Sequence, residues 1–381
     1  MTKPSVCHLT NVHHLFDQRI FYKEAQSLAA AGYDVTILGP GPASLAGEHA
    51  GVNVVTIEPP RSVSGRLLNL ARLLHLAHKT GARLIHFHDP ELLPVGLALR
   101  LLGRKVVYDC HENFPQTAYV RRWVPARLRR PLALCIDALE CSVARVLSGV
   151  LGVVDEQSDR FAHCPFETVK NFPRLEWFSP TTEGPEPAQA ESSCELLHIG
   201  SLSRDRGSQF LLEVMSELSK THPHVRLRSI GPFHTEADRL DFERRGAELD
   251  VADRIDCWTD KIPYDQLGAL IARHRIGLIP GQVSVKNLSP FVPTKLFEYL
   301  ACGLPVVASA LPSIRDFHAP ADWGCLVDPA CPREHADAIR HLLANETEAR
   351  AKGQRGRALV EQQYNWSIEA ERLLAFYKRV S

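Results

Sequence analysis

The chain has 381 residues, of which 45% are hydrophobic and 23% charged, with 44 Lys and Arg balanced by 44 Asp and Glu. That balance describes a folded globular chain long enough for two ordinary domains, and it excludes a disordered or fibrous protein. Zero net charge excludes a general nucleic-acid binder, which carries a basic excess. The ten cysteines include no Cys-x-x-Cys pair, the usage of a reduced compartment in which cysteine serves as a small apolar residue. No helical His-x-x-x-His pair has a third ligand in view, so no metal site and no cofactor are expected. No secretory leader and no apolar run of membrane-spanning length is read, so a cytoplasmic protein is expected.

Strands and helices alternate from the start, which predicts a parallel sheet covered by helices. Val6 to Thr10 reads as the first strand, Arg19 to Ala31 as a helix ending at Gly32, Asp34 to Leu38 and Val52 to Ile57 as strands. Leu67 to Lys79 reads as a helix, Arg83 to Phe87 as a strand, Glu91 to Leu102 as a helix, and Lys105 to Tyr108 as a strand. Val150 to Val154 and Thr168 to Lys170 complete the sheet. Open parallel sheets bind ligands beyond the carboxyl ends of their strands. Three of those ends deliver histidine with an acid. The first is followed by His13, His14, Asp17 and Arg19, the second by His88, Asp89 and Glu91, and the third by Asp109, His111 and Glu112. Converging on one sheet edge, they predict a polar crevice.

The stretch Tyr119 to Arg130 is basic and carries Trp123. Two readings fit it: peripheral contact of Arg121 to Arg130 with an anionic membrane surface, and a solvated face paired with nearby acids. Residues 179–193 are rich in Pro, Glu, Ser and Thr without an apolar period, and they read as a linker. A first domain over 1–178 and a second over 194–364 follow, with a last helix over 365–381.

The second half opens with a strand, Cys194 to Ile199, and then Gly200-Ser201-Leu202-Ser203-Arg204-Asp205-Arg206-Gly207. Gln209 to Leu218 is the helix after it. A glycine-bounded turn between strand and helix is where such folds place phosphates. Arg206 fits a phosphate there, or pairs with Asp205 or Glu213 on the surface. Further strands are Val225 to Gly231, Arg254 to Cys257 and Ile276 to Ile279. Trp258 is either a platform for a base or a packing residue. The loop from Gly281 to Val292 offers Ser284, Lys286, Asn287 and Ser289. Pro293 then starts a helix whose stripe is Leu296, Phe297, Leu300 and Ala301, and which Gly303 and Pro305 end. Val292 and Pro293 provide no cap, so the amides of Thr294, Lys295 and Leu296 read as open donors for an anion. Lys295 and Glu298 read either as part of that site or as a surface ion pair three residues apart, worth about 0.2–0.5 kcal/mol.

The run Pro293-Thr294-Lys295-Leu296-Phe297-Glu298-Tyr299 resembles the donor-binding helix of the family 4 retaining glycosyltransferases. The runs His14 to Arg19, His88 to Leu92 and Asp109-x-His111-Glu112 are similar to the acceptor side of the same family, in members related to bacterial polysaccharide and glycoconjugate synthesis. The resemblance covers nearly the whole chain. It implies the α/β GT-B fold, two facing Rossmann-like parallel-sheet domains with an interdomain cleft, the last helix returning to the first domain. It implies a nucleotide-sugar donor, a glycan or lipid-linked hydroxyl acceptor, no metal and no nucleic acid. Gly200, Ser201, Arg206, Thr294 and Lys295 would hold the diphosphate and Glu298 the ribose. His111 would lie against the donor sugar, with Asp17 and Glu112 beside it in catalysis and His13, His14, Arg19, His88 and Asp89 on the acceptor side. Three departures stand out. Ser201 occupies the usual arginine position, with Arg204 as the nearest substitute. Pro290 replaces the first of two glutamates. The first loop replaces a Gly-Gly turn. A nucleotide-sugar epimerase of the same fold and a non-catalytic subunit of a glycan-synthesis complex are the alternatives.

Overall fold

The computed structural model describes residues 3–111, 115, 124–178, 194–260 and 262–381. The chain divides into two compact units, Met1–Asn171 with Ser367–Ser381, and Phe172–Trp366.

The first unit is built on eight strands: β1 (Ser5–Leu9), β2 (Asp34–Pro40), β3 (Gly47–His49), β4 (Val52–Ile57), β5 (Leu84–Phe87), β6 (Lys105–Cys110), β7 (Gly149–Gly152) and β8 (Phe166–Thr168). Their order is β3-β4-β2-β1-β5-β6-β7-β8. Every pair is parallel except β3 with β4. Chain order reverses between β1 and β5, and a crevice beyond the carboxyl ends at such a point is where open sheets take ligands. The central strands are buried except for the first residues of β1 and β6, Ser5 and Lys105, which explains their near-continuous apolar runs. The helix Val63–Lys79 starts where Ser62 Oγ accepts from Gly65 N at 3.1 Å and buries Leu73 and Ala77.

The helix after β1 departs from the expected regular form. It begins as a π-helical turn, Ile20–Ala25, and continues as α-helix over Gln26–Ala30. The widened turn buries both Lys23 and Glu24. Lys23 Nζ donates to Asn171 Oδ1 at 2.6 Å, and Glu24 faces the histidines described below. Arg127, Arg129 and Arg130 open a helix, Ala126–Ala144, that the sequence reading treats only as a basic run. Arg121 to Trp123 lie outside the described residues. Among the described residues no helix is long and apolar enough to cross a membrane.

The second unit carries β9 (Leu196–Ile199), β10 (Leu227–Ile230), β11 (Ile255–Trp258), β12 (Ile276–Ile279), β13 (Val306–Ser309) and β14 (Gly324–Val327), in the order β11-β10-β9-β12-β13-β14. All of its pairs are parallel. The order reverses between β9 and β12. Residues 172–178, placed by sequence in the first domain, belong to this unit. The reason is aromatic packing: Phe172 meets Phe297 at 4.7 Å and Phe178 meets Tyr264 at 5.3 Å, ring to ring. Of the last helix, Trp366–Val380, the part from Ser367 onward belongs to the first unit. There Glu369 accepts from Lys170 N at 2.8 Å and Tyr377 Oη meets His86 Nδ1 at 2.6 Å.

Candidate active site

At the reversal point of the first sheet, β1 and β5 lie in parallel register with His8 beside His86. His88 follows two residues later on the same face. These three imidazoles, Glu24 and Asp109 are fully buried. His8 Nδ1 lies 2.9 Å from His88 Nε2, and His88 Nδ1 lies 3.3 Å from Asp109 Oδ2. His111 Nε2 approaches the same carboxylate oxygen to 2.6 Å. Of the titratable side chains around Asp109, His111 is the one with surface, its side chain 11% exposed.

Arg19 is the strut of this cluster. Its Nε and Nη2 donate to the two oxygens of Asp109 at 2.8 and 3.0 Å, and its Nη1 donates to Val169 O at 2.8 Å. Glu24 Oε1 lies 2.9 Å from the same Nε. Burial alone would raise the Asp109 carboxyl, but the Arg19 guanidinium and the facing imidazoles hold it well below the usual range. Glu24, buried and facing the Asp109 charge, is pushed well above the usual carboxylate range despite Arg19. Burial keeps His86 and His88 neutral and lowers His8 to about 3.

The sequence expectations for this unit sort by depth. His13 and His14 reach the surface: His13 Nε2 pairs with Asp89 Oδ1 at 3.2 Å, its ring lies 5.3 Å from that of His111, and His14 is exposed. Arg19 and His88 are buried and cannot touch an acceptor; they sit behind His111. Asp89 is a loop organiser, accepting at Oδ2 from Thr10 Oγ1 at 2.9 Å and from the amides of Asn11 and Val12 at 2.6 and 3.2 Å. Asp17 is a helix cap: its Oδ1 accepts from Arg19 N at 2.7 Å and Ile20 N at 3.2 Å. Glu112 lies outside the described residues. The sequence reading missed Glu24, His8, His86 and Tyr377. For His8 and His86 the only local signal is a histidine inside an apolar strand, and nothing short-range tells that β1 and β5 bring them together; Glu24 and Tyr377 lie in helices.

Two groups among the described residues gather enough ligand atoms for a cation: His8, Glu24, His86 and His88, and His88, Asp109 and His111. In both, most of the atoms are already committed. His8 bonds His88, His86 bonds Tyr377, His111 bonds Asp109, and the Arg19 cation lies against both carboxylates. A divalent ion would have to displace those bonds and sit beside a guanidinium, so the arrangement does not fit a resident metal.

In the second unit the turn from Gly200 to Gly207 follows β9 at the reversal point. Gly207 has φ +84°, and a Cβ there would fall 2.0 Å from Pro280 O, so only glycine fits. Arg206 is exposed and has no acidic partner among the described residues; a Cβ on Gly200 would meet its Nη1 and the buried His198 Nε2, each at 3.7 Å. Burial, with Arg206 and Lys295 nearby, lowers His198 to about 4, so two cations converge on one neutral ring. Arg204 does not supply the missing charge, because it pairs with Asp241 at 2.7 Å. Asn287 is a loop brace, donating to Asp205 O at 2.8 Å and Gln282 O at 2.7 Å. Trp258 carries the Arg228 guanidinium at 4.2 Å.

The helix Thr294–Ala301 has no side-chain cap. Two of its three expected open donors are used: Thr294 N donates to Val292 O and Leu296 N to Pro293 O, each at 2.9 Å. The tight turn at Pro293 brings those carbonyls within reach, leaving the Lys295 amide as the open donor of the three. Lys295 Nζ and Glu298 Oε2 are 2.9 Å apart. A surface pair would expose both partners, but the Glu298 side chain is 1% exposed against 32% for Lys295. Tyr299 Oη accepts from Ile199 N at 2.8 Å, tying this helix to the strand that feeds the glycine turn.

Comparison with known proteins agrees with this geometry. The Glycosyltransferase Family 4 model matches residues 18–145, and the Glycosyl transferase-like model matches residues 204–375. The D-inositol 3-phosphate glycosyltransferase of Acidothermus cellulolyticus is 27% identical over 193 residues, 49% of this chain and 41% of that protein. The enzyme of the same name from Segniliparus rotundus is 29% identical over 185 residues, 47% of this chain and 38% of that one. The matched region thus spans about two fifths of these relatives. Among solved structures, the sucrose-phosphate synthase of Thermosynechococcus elongatus superposes with a TM-score of 0.75 at 19% identity, covering 99% of both chains. Anabaena HepE in complex with UDP-glucose gives 0.74 at 14% identity, covering 98% of this chain and 99% of that one. The two glycosyltransferase regions reach into both units, and the solved neighbours share the GT-B fold across nearly the full chain; together these matches support a family 4 glycosyltransferase.

Proposed function

We propose that the protein is a retaining glycosyltransferase that moves a sugar from a nucleoside-diphosphate sugar to the hydroxyl of a glycan, a lipid-linked or a small glycoconjugate acceptor. The observation that carries this reading is the convergence of Arg206 and Lys295 on the neutral His198, beside a glycine turn and an uncapped helix. Two cations and an open amide are the groups a leaving diphosphate needs. Gly200 and Ser201 let the phosphates approach the turn, Thr294 adds a hydroxyl, and Glu298 takes the ribose.

In the first unit, His111 meets the donor sugar, and His13 and His14 border the acceptor. No side chain is assigned as an enzyme nucleophile. The acceptor oxygen attacks the anomeric carbon on the face the diphosphate leaves. The bond from that carbon to the phosphate oxygen breaks, and the departing phosphate takes the acceptor proton. No metal is invoked, because Arg206 and Lys295 supply the countercharge. The solved neighbour holding UDP-glucose makes UDP the first nucleotide to test.

Calorimetric titration of the full chain with UDP, GDP and ADP is expected to select one of them. Lys295→Ala and Arg206→Ala should each weaken that nucleotide about tenfold or more, from the ~1.5–3 kcal/mol of a charge-assisted hydrogen bond. Nucleotide affinity unchanged in both variants removes the donor site from this turn and helix. Turnover of a nucleotide sugar with no acceptor present would favour the epimerase reading.

A further inference from the structure

We propose that Asp109 is the positioning residue of His111: it fixes the imidazole proton on Nε2, so that His111 meets the donor sugar as a hydrogen-bond acceptor through Nδ1. The inference rests on the reading that places His111 at the donor sugar.

Hydrogen-bond bookkeeping around one oxygen carries it. Asp109 Oδ2 lies 2.6 Å from His111 Nε2 and 3.3 Å from His88 Nδ1. Both Asp109 oxygens also receive the Arg19 guanidinium, at 2.8 and 3.0 Å. An ionised carboxylate only accepts. A bare ring nitrogen 2.6 Å from it would set lone pair against lone pair, so His111 Nε2 carries a proton. The same holds for His88 Nδ1. The 3.0 Å separation of His88 Nδ1 from His111 Nε2 is then the spacing of two donors that share one acceptor.

The assignment propagates inward without conflict. His88 is buried and neutral, so with Nδ1 protonated its Nε2 is bare and accepts from His8 Nδ1 at 2.9 Å. That leaves His8 Nε2 bare, and it is among the buried atoms with no partner. A lone pair without a donor is the less costly kind of orphan. The reverse assignment sets two unprotonated nitrogens against the same carboxylate oxygen, lone pair against lone pair. His111 Nδ1 has no partner among the described residues, and the His111 ring is the part of this cluster with surface.

The arrangement matches a buried aspartate that orients a catalytic histidine, where replacement by asparagine leaves the geometry and yields the wrong tautomer. Here Asp109 Oδ2 receives Arg19 Nε, His88 and His111, whereas Oδ1 receives only Arg19 Nη2. An asparagine would therefore keep its one oxygen at the Oδ2 position and hold the same tautomer, so the test is to remove the acceptor altogether.

Long-range ¹H–¹⁵N correlation on the ¹⁵N-histidine-labelled full chain reads the tautomer directly, with His111 assigned by the signal lost in His111→Gln. The wild type is expected to show a protonated Nε2 and a bare Nδ1. Asp109→Ala, which removes the acceptor, is expected to release the His111 ring to a mixture of tautomers and to cut turnover about a thousandfold, somewhat less than the ~10⁴-fold loss of a triad aspartate, while affinity for UDP stays within twofold. A wild-type spectrum with Nδ1 protonated overturns the proposal, whether or not Asp109→Ala folds. So does an unchanged tautomer in that variant. If the tautomer is as stated yet His111→Gln retains full turnover, the hold of Asp109 on His111 stands and the placement of His111 at the sugar fails.

Discussion

Glu24 shows how a residue's role is set by what surrounds it. It is fully buried, faces three imidazoles at 3.8–4.0 Å and shares Arg19 with Asp109. One guanidinium cannot balance two carboxylates in that space. Asp109 holds the bidentate bond, so Glu24 is the one that keeps its proton. A neutral carboxylic acid and an amide have nearly the same shape and hydrogen-bonding capacity. Glu24→Gln is therefore expected to unfold in urea within about 1 kcal/mol of wild type. Removing one partner of the buried Arg19–Asp109 pair, as in Asp109→Ala, should cost about 3–5 kcal/mol. A loss above about 3 kcal/mol for Glu24→Gln would mean that Glu24 is charged. Residues of this kind were the least legible in the sequence. Asp17, His88, Asp89 and Arg19 stand out there as polar groups at strand ends, but strand-end position does not say which point outward. Arg19 and His88 turn inward because Asp109, ninety residues from Arg19, needs them. Arg206 reads as the phosphate ligand of the turn, and Arg204, two residues before it, as the nearest substitute for the charge missing at Ser201. Asp241, on a distant helix, takes one of them.

At the scale of elements the helix Thr294–Ala301 was the most legible part of the chain. Its proline start, apolar stripe and glycine stop are local, and so are the boundaries they set. Its hydrogen bonding was less so, since the turn before it returns two carbonyls to amides that composition leaves open. The π-turn at Ile20–Ala25 and the short antiparallel β3 had no periodicity to announce them. The helix Ala126–Ala144 was obscured because Pro131 lies inside it. Tyr299 illustrates a tie between elements that sequence cannot show. It reads as one more stripe residue, yet its hydroxyl accepts the Ile199 amide at the end of β9. Tyr299→Phe keeps the packing and removes that acceptor, leaving a buried N–H with no replacement, which costs about 1–3 kcal/mol. Nucleotide affinity is expected to fall with it, because the helix and the glycine turn lose their shared register. Wild-type stability in Tyr299→Phe would show that Ile199 N finds another acceptor and that the tie is dispensable.

Over the whole molecule, the α/β fold of two parallel-sheet units was readable from the alternation of strands and helices, whereas the reversal points that place the sites depend on strand order. The buried imidazoles those reversals collect have a consequence for the entire protein. His8 is lowered to about 3, His198 and His274 to about 4, and His86, His88 and His335 are lowered as well, burial being the first cause in each. Unfolded, each would titrate near 6.5. Below that value the unfolded chain binds protons that the folded chain refuses, so stability falls as pH falls through 6.5. For a histidine moved from 6.5 to about 3 or 4, the loss at pH 5 is about 2 kcal/mol. Glu24 and Glu369 act in the opposite sense. Their raised carboxyls are protonated in the fold above the unfolded value of 4.5, so they destabilise as pH rises. Asp109, held low, keeps its contribution until pH drops well below this range. Six imidazoles against two carboxyls leave a net stabilisation toward neutrality, distributed over both units. Urea unfolding of the full chain should accordingly show its midpoint dropping steeply between pH 7 and pH 5, with a loss of several kcal/mol. A midpoint that stays level across that interval would mean that these histidines are charged or solvated in the fold, and the buried network beneath His111 would then have to be redrawn.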